Sequence, residues 1–192
     1  MTTDDGKMDW LAAALPWRRL MWGGIAGLLA LPAVAMRFTD EVQWGPEDFL
    51  VMGIMFGTVG AGMEIAVRMS RNLAYRMAFA LSLAAGFLLL WISLAVGIIG
   101  SEDDMANAPY GYVLIIAVLG SLASLFRARG MAWTMAAAAV MQAVVPVLAW
   151  FDGVAAVTRP EVGYLTVFFC GMWWVSASLF RLAARDAALP PG

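Results

Sequence analysis

The chain has 192 residues, 62% of them hydrophobic, and a formal charge of −2, with a mean hydropathy of +0.79. A soluble domain of this size has too little interior to hide so much apolar surface, so the chain is read as an all-α membrane protein. It has no histidine and one cysteine, Cys170. That excludes His-ligated haem or metal, histidine-dependent nucleophilic catalysis and any disulfide within the chain.

A membrane-spanning helix needs about 20 apolar residues. Six stretches qualify, over 20–36, 49–67, 77–99, 110–126, 131–150 and 163–182, in a single integral membrane domain covering 1–192. Residues 1–16 are expected to form a cytoplasmic N-terminal segment. Within it Asp9 would cap a short helix bearing Trp10, Leu11 and Leu15, ended by Pro16 and lying along the inner interface. Arg18-Arg19, the apolar run after it and Ala33-Val34-Ala35 also have the form of a signal peptide. The run is kept as a membrane helix.

The second helix opens with Pro46-Glu47-Asp48 and closes at Arg68. Gly53, Gly57, Gly60 and Gly62 thin it, and Gly53 with Gly57 makes a small-xxx-small contact face. Glu64, the only carboxylate inside a predicted span, sits one turn before Arg68. It reads as an interfacial ion pair or as a protonatable transport group, and the ion pair is preferred.

The third helix carries Ser82, Trp91 and Ser93. Trp91, Trp173 and Trp174 are placed deep in the membrane, where they pack or line a cavity. Trp17, Trp22, Trp44, Trp133 and Trp150 fall at predicted interfaces, as an aromatic belt would. Gly100 is expected just past the end of the third helix. Glu102, Asp103, Asp104 and Asn107 follow it. Their oxygens suit calcium or magnesium, although the spacing matches no EF-hand loop.

Gln142 lies in the middle of the fifth helix, one turn before Pro146. An amide at that depth must find a partner, and Ser82 and Ser93 are the candidates. Thr158 and Glu161 form a capping box for the sixth helix. Ala123-Ser124-Leu125-Phe126-Arg127 recurs as Ala177-Ser178-Leu179-Phe180-Arg181. Gly111-Tyr112 recurs as Gly163-Tyr164, and Met77-Ala78-Phe79 as Met131-Ala132-Trp133. One reading is three parallel helical hairpins around an axis normal to the membrane. The other is that shared helix-end chemistry imitates a repeat.

Charge sets the orientation. With both termini cytoplasmic, ten basic residues lie inside, against only Arg37 and Arg159 outside. Nine acids face outside and could attract cations, or could simply solubilise the outer loops.

The segment from Val96-Gly97-Ile98-Ile99-Gly100-Ser101-Glu102-Asp103 through Asn107 resembles one found in a group of small bacterial integral membrane proteins. Trp44 to Phe49 and Tyr75-Arg76 are similar too, so the resemblance reaches the first four helices. It implies a bacterial setting and no mechanism.

The expected function is that of a non-enzymatic accessory or scaffold subunit in the bacterial cytoplasmic (inner) membrane. Its expected partners are the lipid bilayer and another membrane protein or a second copy, with no nucleic acid and no cofactor. The alternative is a small carrier or channel for a cation or small solute. Its cavity would gather Glu64, Gln142, Ser82, Ser93 and Trp91. No intramembrane aspartate pair and no nucleophile motif point to an enzyme.

Overall fold

The computed structural model describes residues 5–101 and 104–188, with side chains from Trp17 onward. The described residues form six α-helices and no strand: α1 (Asp5–Ala35), α2 (Pro46–Met69), α3 (Leu73–Ala95), α4 (Tyr110–Ala123), α5 (Ala128–Phe151) and α6 (Pro160–Asp186). Short 3-10 turns precede α4 at Met105–Asn107 and α6 at Ala155–Thr158. Five stretches are long and apolar enough to cross a membrane, as a multi-pass membrane protein requires: α2, α3, Met105–Ala123, α5 and α6. The expected sixth, α1, is not among them, because Arg18 and Arg19 stand at the head of its described apolar run. α1 runs unbroken from Asp5, so Pro16 does not end a separate helix and Asp9 is no cap. The side chains of Trp10, Leu11 and Leu15 lie outside the described residues.

The ends of the helices follow local chemistry. At the head of α2, the Gly45 N–H donates to Asp48 Oδ2 at 2.8 Å, half of a capping box. Trp44 packs edge-on against Phe49 at 5.3 Å, which staples the entering chain to the first turn. Asn72 caps α3 by accepting from the Tyr75 N–H at 3.1 Å. α3 stops at Ala95, earlier than expected, because Gly97 takes a left-handed φ of 76° and its N–H closes on the Ile92 carbonyl. Gly97 therefore does the work expected of Gly100. At α6 the predicted Thr158/Glu161 box is absent. Arg159 is the N-cap, and the Thr158 hydroxyl donates to the Ala155 carbonyl in the preceding 3-10 turn.

The chain forms two compact units, one up to Ala61 and one from Gly62 onward. In the first, Leu29 lies 3.8 Å from where a Gly53 Cβ would stand, and Trp22 takes the corresponding space at Gly60. The paired numbers fall on α1 as they rise on α2, so the two helices run antiparallel. The contact glycines are Gly53 and Gly60, two turns apart. Gly57 has nothing within 4 Å and is not part of the expected pair.

In the second unit α6 packs along both α5 and α3, and α4 packs on α5. α3 and α4 barely touch, whereas α5 and α6 adjoin over much of their length. The two hairpins are therefore packed unlike one another. The matched pentapeptides also differ in conformation. The first leaves α4 through Leu125 (φ 51°) and Phe126 (φ 56°), while the second stays helical inside α6. Two successive non-glycine residues in the left-handed region are costly. Phe126 is held there by its neighbours. Its carbonyl accepts from Tyr75 Oη at 2.7 Å, and its ring lies 6.1 Å from Phe79. Phe180 joins the cluster at 5.2 Å from Tyr75.

Candidate functional site

Gln142 is fully buried, and neither side-chain atom has a hydrogen-bond partner among the described residues. A buried orphan amide costs about 1–3 kcal/mol. One turn earlier on α5, the Ala139 carbonyl accepts from Cys170 Sγ at 3.4 Å. In an antiparallel α5–α6 pair, that bond sets the Gln142 turn level with the α6 turn holding Thr166. Tyr110, fully buried at the head of α4, faces Thr166 and Cys170. The Thr166 hydroxyl is donated to the Val162 carbonyl at 2.7 Å, and Tyr110 Oη makes no bond of good geometry. Trp173, one turn beyond Cys170, buries an unpartnered Nε1. Polar groups on α4, α5 and α6 are thus left without partners in an otherwise apolar interior. A shallow groove of about 250 Å³ lies elsewhere, against Pro146, Val147, Trp150, Val157 and Thr158, and includes none of them.

The other expected cavity residues are not gathered around Gln142. The Ser82 and Ser176 hydroxyls lie 2.7 Å apart and each is 2.9 Å from the Ala78 carbonyl, so one donates to that carbonyl and the other can donate to its fellow hydroxyl. This knot ties α3 to α6. Ser176 was missed because one serine among small residues carries no signal of what faces it. Ser93 buries an unpartnered hydroxyl. Trp91 is 42% exposed and packs edge-on to Phe87. Trp173 is buried in the core, whereas Trp174 is half-exposed. Glu64 Oε2 pairs with Arg68 at 3.1 Å near the end of α2. That is the preferred ion-pair geometry, with Arg68 largely in the open.

The loop before α4 is organised around Asn107, which is 7% exposed. Its Oδ1 accepts from the N–H groups of Ile98 and Ile99, both at 2.8 Å. Its Nδ2 donates to the carbonyls of Ile99 at 3.1 Å and Ser101 at 2.7 Å. Asp104 caps the 3-10 turn by accepting from the Ala106 N–H. Asn107 is therefore a loop clamp, with its oxygen already engaged twice, and not the expected metal ligand. Glu102 and Asp103 lie outside the described residues. Among the described residues no three acidic, histidine or cysteine side chains are grouped to hold a metal.

The second unit is charged at one end. The Asn72–Asp186 hydrogen bond and the Tyr75–Phe126 bond bring together the end of α2, the head of α3, the α4–α5 turn and the end of α6. Arg68, Arg71, Arg76, Arg127, Arg129, Arg181 and Arg185 are on these segments, against only Glu64 and Asp186. Compared with known proteins, the chain matches no family model, no curated protein and no solved structure.

Proposed function

We propose that this chain is a non-enzymatic accessory or scaffold subunit of the bacterial inner membrane that binds another membrane complex. The observation that carries the reading is α1. None of Trp17–Ala35 is buried, and Gly23, Gly24 and Gly27 have nothing within 4 Å. Gly23 and Gly27 make a small-xxx-small face of the kind on which a second membrane helix packs closely. The apolar run Leu20–Ala35 is about 24 Å at 1.5 Å per residue, and with Arg18 and Arg19 reaching to the interface it would serve as the sixth crossing. The arginine-rich end of the second unit supports a cytoplasmic position for that end and, with an even number of crossings, for both termini. The hairpin repeat remains a matter of sequence: the matched segments support a common origin and differ in packing.

Native mass spectrometry on protein gently extracted from its own membrane tests the reading. The expected result is a stable complex with a second membrane protein, lost in Gly23→Leu/Gly27→Leu. The new side chains meet open space, so the fold should hold. A lone chain in both samples would refute the proposal.

The unpartnered Gln142 amide favours a second reading, a small-solute carrier. In that case Gln142→Leu abolishes uptake into proteoliposomes. If the amide is only a packing defect, the same substitution leaves transport unchanged and raises stability by about 1–2 kcal/mol, because an orphan polar group is removed.

A further inference from the structure

Trp133 and Trp174, on adjoining faces of α5 and α6, hold a charge between them. The Arg181 guanidinium carbon lies 5.4 Å from the Trp133 ring centre and 5.8 Å from that of Trp174. Both indoles are exposed, at 66% and 53%, and so is Arg181. No carboxylate pairs with Arg181 among the described residues. Glu64 at this end is with Arg68, and Asp186 accepts from Asn72 Nδ2.

Arg181 is seven residues past Trp174, yet the two side chains meet. The guanidinium is therefore drawn back along α6, as helical side chains lean toward the N-terminus. On a lipid-facing surface a cation placed this way is costly without an anion. The ring faces provide part of the compensation. Ring faces attract the cation without accepting its N–H groups as a carboxylate would, and those N–H groups are the fork that matches a phosphate. Arg185, one turn further on, and Arg129, one turn before Trp133, are exposed at the same end.

We propose that Arg181, seated on Trp133 and Trp174, binds the phosphate of an anionic phospholipid headgroup. The exposed indoles then cover the glycerol and the upper acyl chains. The rings select lipid over a free ion, since a soluble phosphate would leave that apolar surface uncovered. The site rests on the chain spanning a membrane and is independent of the accessory reading, so neither result decides the other.

The test is native mass spectrometry of the full chain in mild detergent, titrated with phosphatidylglycerol or phosphatidylcholine. Phosphatidylglycerol should be retained several-fold better. Arg181→Gln should weaken that retention about tenfold, about 1.4 kcal/mol. Arg181→Lys and Trp133→Leu/Trp174→Leu should each weaken it less, and Arg71→Gln should leave it unchanged. Millimolar inorganic phosphate should not displace the lipid. Equal retention of the two lipids, wild-type retention by Arg181→Gln, or displacement by phosphate alone would overturn the proposal. Should circular dichroism show Arg181→Gln unfolded, undiminished retention in the lysine and leucine variants would overturn it equally.

Discussion

Asn107→Leu is expected to lower stability by about 3 kcal/mol or more and to open the connection between α3 and α4. The side chain makes four hydrogen bonds to a buried stretch of backbone. Leucine makes none, and each buried group left unpaired costs about 1–3 kcal/mol. The N–H groups of Ile98 and Ile99 suffer most, because those residues are 4% and 0% exposed and water cannot reach them without the loop opening. Asn107→Asp is an informative companion. It keeps an acceptor for the two N–H groups but turns a donor into a second oxygen facing two carbonyls, so it too destabilises. Thermal unfolding in detergent, with limited proteolysis across residues 96–109, reads both effects. An unchanged midpoint for Asn107→Leu would remove the clamp from the account of the loop.

The second large effect lies at the crossing of α4 and α5. A Cβ on Gly120 would stand 2.6 Å from Thr134 Cγ2 and 2.7 Å from its Oγ1. Thr134 cannot simply turn away, because it is β-branched, nearly buried, and donates its hydroxyl to the Gly130 carbonyl at 3.1 Å. One turn back, a Cβ on Gly130 would overlap the Cβ of Ser124. Two helices thus meet with no room for a side chain at either glycine. Gly120→Leu should cost about 3 kcal/mol, the upper range for overpacking, by forcing the helices apart. Gly120→Ala should cost less, since helix propensity returns about 1 kcal/mol. Thr134→Ala should then recover most of the remainder. A double-mutant cycle on detergent-solubilised protein measures that coupling. Strict additivity would mean the two residues do not meet.

How much of this was legible in the sequence depends on the range of the interaction. Features fixed within one or two turns were readable: the apolar lengths of α2 to α6, the proline and acids at the head of α2, and the pairing of Glu64 with Arg68. Gln142 was legible as a buried amide because its helix is apolar on both sides of it. What it faces was not, since that depends on the register between α5 and α6. Gly53 was correctly placed at a contact and Gly57 was not. A pattern of small residues shows where a helix could be approached, and the direction of its neighbour decides which of them is used. Asn107 was misread because oxygen-rich side chains look alike whether they bind a cation or their own backbone. The repeated pentapeptide shows the same limit. The same five residues are helical in α6 and turn left-handed after α4, where Tyr75 and Phe79 wait for Phe126.

The knot between Ser82 and Ser176 has a consequence for how the molecule is made. The two serines are 94 residues apart in the chain. At about 5–20 residues per second of synthesis, α3 waits roughly 5–20 s for its partner. During that interval the Ser82 hydroxyl has only the Ala78 carbonyl of its own helix to hold. α6 supplies the packing surface for both α3 and α5, so a helix made after both of them closes the interior. A nascent chain stalled before it would present two inserted helices with their main contact faces open, a form that membrane quality control can recognise and clear.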